Sequence, residues 1–191
     1  MKLRSIFRKK RKPEWVHGML AGAAGGLAAS YAMTLFLRLL DTLGLDPAEH
    51  HPQHSVDRGD REAAHEEREG TPDDATVEAA ERVAGWFGVE LSRRGKEIAG
   101  PLMHYAFGTT MGAIYGVLAE RDERVTAGYG LAFGGLVWLL FDEIAIPALR
   151  LSPPPQEAPL PVHLRGAAAH VVYGPGTELG RRAVIAALGR A

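Results

Sequence analysis

The segment Ile98–Ala119 contains no aspartate, glutamate, lysine or arginine, yet glycine recurs at every fourth position as Gly108, Gly112 and Gly116. A helix so rich in glycine is weak in water, because each glycine costs about 1 kcal/mol relative to alanine. In lipid, the same row of small residues lets a second helix backbone approach closely. The segment therefore predicts a membrane-spanning helix that carries an ionisable residue, His104, at the head of its small face.

A second uncharged run covers residues 16–37 and follows seven lysines and arginines within residues 2–12. The run exceeds the ~7–15 apolar residues of a cleaved signal sequence and reaches the ~20 residues that span a bilayer. It therefore predicts an uncleaved first helix whose packing face carries Gly18, Gly22 and Gly26. Because the basic residues directly precede an apolar run, they indicate membrane orientation and not a nucleic-acid site.

The rest of the sequence extends this pattern to an all-α fold, an integral membrane four-helix bundle. The expected organisation is a basic cytoplasmic arm at 1–13 and one membrane domain at 14–191. The expected spans are about 15–40, 96–119, 125–149 and 163–188, separated by an external insert at 41–95 and a proline-rich stretch at 150–162. The acidic insert carries a short surface helix at about 72–88, because Thr71 and Pro72 supply a cap and a first-turn proline.

Orientation follows from the distribution of basic residues. Lysines and arginines concentrate on the cytoplasmic side of membrane proteins, so the arm at 2–12 places the N-terminus in the cytoplasm. Four spans then return the C-terminus to the same side, where Arg181 and Arg182 end the last helix.

Three motifs recur in the same order in the two halves of the chain. The Gly-Gly-Leu sequence at 25–27 matches 134–136, the Leu-x-Leu-x-Pro sequence at 43–47 matches 149–153, and His-x-x-aromatic-Gly at 104–108 matches 170–174. The pattern predicts a duplicated helix pair, and Gly174 then takes the place in the second pair that Gly108 has in the first.

Ionisable residues interrupt the apolar spans and form the candidate functional set: His104, His170, Asp142, Glu143, Glu178 and Arg38. At ~1.5 Å of rise per residue, most of them fall in one layer of the outer leaflet, and Glu178 lies deeper. We expect the two carboxylates to pair with the two histidines, because buried ionisable groups in a membrane are costly unless they are paired. Such a cluster is typical of a proton-responsive site, of structural hydrogen bonding between helices, or of a zinc or iron site.

Other chemistry has little support in the sequence. There is no cysteine, which excludes disulfides and thiolate metal sites. His51 and His54 are weak candidates for metal binding in a polar loop. No nucleophile has a partnered base and no glycine row follows a strand, so neither an enzyme nor a cofactor is expected.

Four parts of the sequence resemble the YagU-like inner-membrane family. They are the stretch from His104 to Glu120, the glycine-rich third helix, Leu151-Ser-Pro153-Pro154 and the segment from Ala169 through Arg182. The resemblance covers about 100–183 and hardly touches 48–97. It implies a bacterial inner-membrane protein of unestablished activity with a suggested tie to acid tolerance. In that pattern His104, His170 and Glu178 occupy ionisable positions. Gly174-Pro175-Gly176 departs from it, because bulkier residues are usual there.

The sequence thus favours a non-enzymatic, multi-pass inner-membrane protein that responds to external acid or supports the envelope. A component of a small-solute or ion transporter and a metal-dependent membrane enzyme are the alternatives. The bilayer is the expected partner, a homo-oligomer remains open, and no nucleic acid is expected.

Overall fold

A computed structural model describes residues 15–45 and 72–189. The predicted basic arm, the first part of the insert, and both His51 and His54 lie outside the described residues. Within those ranges every regular element is helical, which confirms the predicted all-helical class for that part of the chain.

Five helical elements follow one another along the chain. They are α1 (Trp15–Thr42), α2 (Pro72–Trp86), α3 (Arg93–Arg121), α4 and α5 (Leu160–Leu188). Helix α4 begins as Leu131–Val137 and continues through the π-helical Trp138–Ala145 to Ile146–Ala148.

Two helix starts differ from the sequence-based expectation. Regular α4 begins at Leu131 and not near residue 125, because Gly128, Tyr129 and Gly130 all have positive φ and turn the chain before the helix. The last helix begins at Leu160, three residues earlier than expected, because its first turn accepts proline without losing an intrahelical hydrogen bond.

The Leu-x-Leu part of the repeated Leu-x-Leu-x-Pro motif, which the structure describes in both copies, adopts one conformation. In each copy the middle residue has positive φ, Gly44 at 68° and Arg150 at 57°. In each, the following amide donates to the carbonyl five residues earlier, Leu45 to Leu40 and Leu151 to Ile146, at 3.0 Å. This pairing is the Schellman motif, which satisfies carbonyls that a helix end would leave unbonded.

Helix α1 packs between α3 and α5, and α5 also packs on α4. The contacts are antiparallel and pass through glycine. A Cβ atom on Gly22 would lie 2.8 Å from the Cα of Gly116, and one on Gly26 would lie 2.8 Å from the Cα of Gly112. Gly134 of α4 faces Gly174 of α5 in the same way, with 3.1 Å to its Cα. At each crossing the helix backbones are in direct contact.

The interior is small and polar, whereas the exterior is large and apolar. Among the described residues no leucine, isoleucine, phenylalanine or methionine is buried, and the buried set is mainly glycine and alanine with a few polar side chains. Large apolar side chains face outward along every long helix, including Leu20, Leu35, Leu102, Leu139 and Val171. A soluble protein has the opposite distribution, with large apolar residues inside.

By length and composition, two of the described helical segments could cross a membrane, Trp15–Thr42 and Glu123–Ala148. Only 11% of the most apolar stretch of the second segment is buried within the chain. The other two expected spans, α3 and α5, remain predictions.

Candidate functional site

Titratable side chains concentrate where α4 ends and α5 begins. His163, in the first turn of α5, has Nδ1 2.7 Å from Oε1 of Glu143 on α4 and Nε2 3.0 Å from the carbonyl oxygen of Pro155. Both side chains of the pair are largely shielded, with exposed fractions of 20% and 17%. One imidazole therefore links α4, the proline-rich connection and α5.

Protons on both ring nitrogens of His163 allow it to donate both hydrogen bonds. A carbonyl oxygen and a carboxylate oxygen are acceptors, and a neutral imidazole has one donor, so only the imidazolium donates both bonds. The Glu143 carboxylate accordingly raises the pKa of His163 above its usual value, through the hydrogen bond first and its negative charge second. The link between the three segments is complete when His163 is charged.

His170 and Asp142 form a second contact between α5 and α4. Nδ1 of His170 donates to the carbonyl of Gly166 at 3.0 Å, and Oδ2 of Asp142 lies 3.6 Å from the same nitrogen. His170 is buried, while the Asp142 side chain is 36% exposed. The pair is therefore an imidazole–carboxylate contact beside a backbone hydrogen bond.

The same end of the molecule carries a contact between α1 and α5. Nη2 of Arg165 lies 2.6 Å from Oδ1 of Asp41, at the last turn of α1. Helix α5 thus meets α4 through His163 and α1 through Arg165, both within its first two turns.

The opposite end holds a denser network around Glu178, whose side chain is completely buried. Arg181 donates through Nε at 2.8 Å and Nη2 at 3.1 Å, and Arg182 donates through Nε at 2.6 Å. Arg181 also reaches Glu120, the penultimate residue of α3, at 3.2 Å. Two cations and two anions therefore balance one another at this end, where the buried carboxylate is hydrogen-bonded on both oxygens.

The six predicted ionisable residues do not converge on one cluster. Asp142 meets His170 as expected, but Glu143 pairs with His163 and not with His104. Asp142 and Glu143 are adjacent in the π-helical stretch and point in different directions, so each meets a different histidine.

The remaining members of that set lie apart from these pairs. His104 faces α1, with Nε2 3.5 Å from the carbonyl of Ser30. Arg38 is exposed near the end of α1, and Glu178 belongs to the network at the opposite end. The sequence predicts that Glu178 lies deeper than the other five, and it does lie apart from them. The two histidine–carboxylate contacts are separate pairs and not one cluster.

The predicted packing glycines all lie at contacts between helices. Gly18, Gly22 and Gly26 of α1 face α3, where the facing residues are Gly108, Gly112, Gly116 and Glu120, while Gly174 faces α4. Hydroxyl groups lie beside them. Tyr173 donates to the carbonyl of Gly108 at 2.6 Å, and Thr177 donates to that of Tyr173 at 2.9 Å.

Sequence reasoning missed His163, whose two ring nitrogens contact Glu143 and Pro155. It lies two residues after Pro161, in a stretch predicted to connect two spans, and no spacing relates it to Glu143 twenty residues earlier. The sequence does contain a signal for the contacts of Arg181 and Arg182 with Glu178. The arginines follow Glu178 by three and four residues, so they share its helix face.

A metal site has no support among residues 15–45 and 72–189, which contain no group of three or more histidine, aspartate or glutamate side chains arranged to hold an ion. The weak candidates His51 and His54 fall outside these ranges, so the structure does not bear on them.

Comparison with known proteins gives one family. The model of a family described as "Protein of unknown function (DUF1440)" matches residues 84–179, half of the chain. The matched region begins near the end of α2 and includes both histidine–carboxylate pairs. The chain matches no curated protein and no solved structure.

Proposed function

The chain belongs to the DUF1440 family, whose function is unknown, and we propose that it is an integral membrane protein that responds to acid outside the cell. In this proposal α1, α3, α4 and α5 cross the membrane as a four-helix bundle built from two helix pairs. The observation that supports it best is the distribution of side chains, with glycine, alanine and polar groups inside and large apolar residues outside.

The size of the apolar exterior supports membrane insertion. Soluble monomers rarely expose contiguous apolar patches beyond a few hundred Å². Here outward-facing leucines follow α1 from Leu20 through Leu27 and Leu35 to Leu39, each at least 47% exposed. Lipid covers such a surface without cost, and close glycine contacts then supply the packing between helices.

The charged ends of the bundle have the separation that a bilayer requires. Gly18 lies against Glu120 at one end of α1, and Asp41 meets Arg165 at the other. The 23 residues between Gly18 and Asp41 correspond to about 35 Å of helix, slightly more than the ~30 Å of a hydrocarbon core.

Two charged residues of α5 within that interval are turned away from the lipid, whereas the Arg182 side chain is 49% exposed and donates to Glu178. Glu178 is fully buried and Arg181 is 8% exposed, and each is neutralised by its partners. Ionisable groups in membranes usually face the protein interior and pair there.

The resemblance to the YagU-like family supports the bacterial inner membrane as the location. The basic arm at 2–12 supports cytoplasmic termini, which places the Glu178 network inside and His163 outside. The surface exposed to external pH then carries the protonation-dependent contact.

The acid response rests on the sign of the His163 shift. Because its folded-state pKa is raised, the contact contributes stability fully below the unfolded value of ~6.5 and loses it as pH rises through the folded value. External acid therefore holds the start of α5 against α4, and a more alkaline exterior releases it.

Cysteine labelling tests the membrane topology, since the natural chain has no cysteine. Gly85→Cys lies in open space at the end of α2, and Arg121→Cys lies exposed at the end of α3. In sealed right-side-out vesicles, an impermeant maleimide should label the first variant and reach the second only after the membrane is permeabilised. Equal labelling of both before permeabilisation would contradict the topology.

Hydrogen exchange tests the acid response. After correction for intrinsic rates, amides of residues 151–162 should exchange more slowly at about pH 5 than at about pH 8. His163→Gln should abolish the difference, whereas His104→Gln, which changes a histidine whose Nε2 lies 3.5 Å from the carbonyl oxygen of Ser30, should retain it. If amide exchange in His163→Gln depends on pH as it does in the natural chain, the proposed response is refuted.

A further inference from the structure

Helices α4 and α5 contain three carboxylate side chains, and these differ in how they are partnered. Glu178 accepts hydrogen bonds from two arginines, and Oε1 of Glu143 lies 2.7 Å from Nδ1 of His163. Asp142 accepts no hydrogen bond from any residue in the described ranges. Nδ1 of His170, the nitrogen that faces it, is 3.6 Å away and thus beyond hydrogen-bonding distance. Asp142 is therefore the carboxylate of this set that the described fold leaves unbonded.

The contact with His170 does not supply the missing hydrogen bond. Because a carbonyl oxygen only accepts, Nδ1 of His170 carries the hydrogen in its 3.0 Å contact with the carbonyl of Gly166. That hydrogen is directed along α5 and not toward Asp142. A Cβ atom on Gly166 would lie 3.2 Å from Nε1 of Trp138 and 3.7 Å from Oδ2 of Asp142. The carboxylate thus lies against the backbone of α5, beside an indole ring.

Asp142 lies below the outer end of the bundle. The ion pair between Asp41 and Arg165 marks that end of α1 and α5. His170, the residue that Asp142 meets, follows Arg165 by five residues, which is about 7.5 Å of helix. The outward-facing residues of α4 close to Asp142 in the chain are large and apolar, namely Leu139, Leu140 and Ile144. In the proposed membrane the carboxylate is therefore level with hydrocarbon.

The backbone around Asp142 gives an independent sign of a site. Residues Trp138–Ala145 of α4 are π-helical. Such stretches are rare inside helices and are found frequently at functional sites. Here the stretch directs two adjacent carboxylates to different histidines, and it leaves Asp142 with the weaker contact.

We propose that Asp142 is a proton-binding site that takes up a proton at mildly acidic external pH, where an ordinary aspartate stays ionised. The inference rests on the proposed membrane location. An ionised carboxylate is costly in an apolar medium unless it is paired and hydrogen-bonded, and protonation removes that cost. The proton comes from outside because the site lies only about 7.5 Å below the outer end of the bundle.

The groups that face Asp142 do not replace this proton. Glu143, the next residue of α4, is a second carboxylate, and a like charge disfavours ionisation. From α5, His170 favours ionisation of Asp142 only in its imidazolium form. From α3, Phe107 packs edge-on against Phe141, with 4.8 Å between the ring centroids. These neighbours make the neutral acid the favoured form when the outside is acidic.

Infrared difference spectroscopy in phosphatidylcholine vesicles tests the protonation directly. At about pH 5 the natural chain should show the carbonyl stretch of an un-ionised carboxylic acid, which Asp142→Asn lacks, and most of this difference should disappear at about pH 8. Glu143→Gln is the matched control, because it removes the adjacent carboxylate and the contact with His163, and it should retain the band. Equal band intensity in the natural chain and Asp142→Asn at about pH 5 would overturn the proposal.

A lipid-soluble carbodiimide gives a second measurement that needs no substitution. The reagent adds to an un-ionised carboxyl group, whose proton passes to a carbodiimide nitrogen as the new C–O bond forms. The Asp142 side chain is 36% exposed and therefore within reach. Mass analysis of peptides should show several-fold faster labelling of Asp142 at an external pH of about 5 than of about 8. Labelling independent of external pH would contradict a proton site open to the outside.

The cysteine labelling of Gly85→Cys and Arg121→Cys separates failure of this inference from failure of the membrane location. If the two cysteines label as proposed and Asp142 gives neither the acid band nor the carbodiimide product, only the inference fails. If the two cysteines label equally before permeabilisation, the membrane topology fails as well.

Discussion

Substitution of Gly112 by alanine tests whether direct backbone contact holds α1 against α3. A Cβ atom at this position would lie 2.6 Å from the Cα of Gly26 and 2.9 Å from its nitrogen, and it would also meet the carbonyl of Gly22. Real Cβ contacts essentially never fall below 3.0 Å, and the Gly22 carbonyl oxygen is the nearest of these atoms, so the two helices must separate. The obstructing atoms belong to helix backbone and cannot rotate aside.

The expected loss can be bounded. Overpacking of this kind costs about 1–3 kcal/mol, and because only backbone can yield, the upper part of that range applies. Alanine recovers up to about 1 kcal/mol through its higher helix propensity. We therefore expect Gly112→Ala to lower the free energy of unfolding by about 1–2 kcal/mol.

Thermal unfolding in mild detergent, followed by helical circular dichroism, measures the effect. Gly135→Ala is the matched control, because a Cβ there meets nothing within 4 Å, and it should leave stability unchanged or slightly raised. The double substitution Gly26→Ala with Gly112→Ala should lower the free energy of unfolding by less than the sum of the two single effects. Either change alone already separates the same helices. Stability of Gly112→Ala equal to that of Gly135→Ala would refute the packing argument.

Three further predictions concern the polar contacts and the repeated cap. Glu178→Gln leaves two arginines without their buried counter-charge and should lower the free energy of unfolding by about 3–5 kcal/mol in detergent. His163→Gln should remove the stability that the natural chain gains as pH falls from about 8 to about 5, measured as the pH dependence of the unfolding midpoint. Arg150→Gly, where φ is 57°, should stabilise the chain by about 1 kcal/mol in the same assay, because glycine occupies positive φ without strain.

Each of these predictions has a control within the chain. Glu78→Gln breaks an exposed ion pair with Arg82 and should change stability by less than about 1 kcal/mol. His104→Gln should preserve the pH dependence of the midpoint. Gly44→Ala, at the equivalent position of the first repeat, has φ of 68° and should destabilise. A stabilising effect there would show that the cap does not hold these angles.

The amino-acid sequence by itself determined where most of the helices lie. An uncharged run is a local property, and so is a glycine at every fourth position, which sets the small face of a helix before any partner is known. The expected spans at 15–40 and 96–119 accordingly fall within α1 and α3. The start of α4 could not be read locally, because Tyr129 takes positive φ only in the fold, where Arg182 lies 4.8 Å above its ring.

Only the tertiary structure decided which ionisable residues meet. Asp142 and Glu143 are neighbours in the chain, yet one reaches His170 and the other His163, because the helix directs them to different sides. The partner of each depends on the rotation and the relative height of α4 and α5, which are set by the crossing of Gly134 and Gly174. Spacing along one helix fixes the face of a side chain, but contact across two helices depends on how their backbones pack.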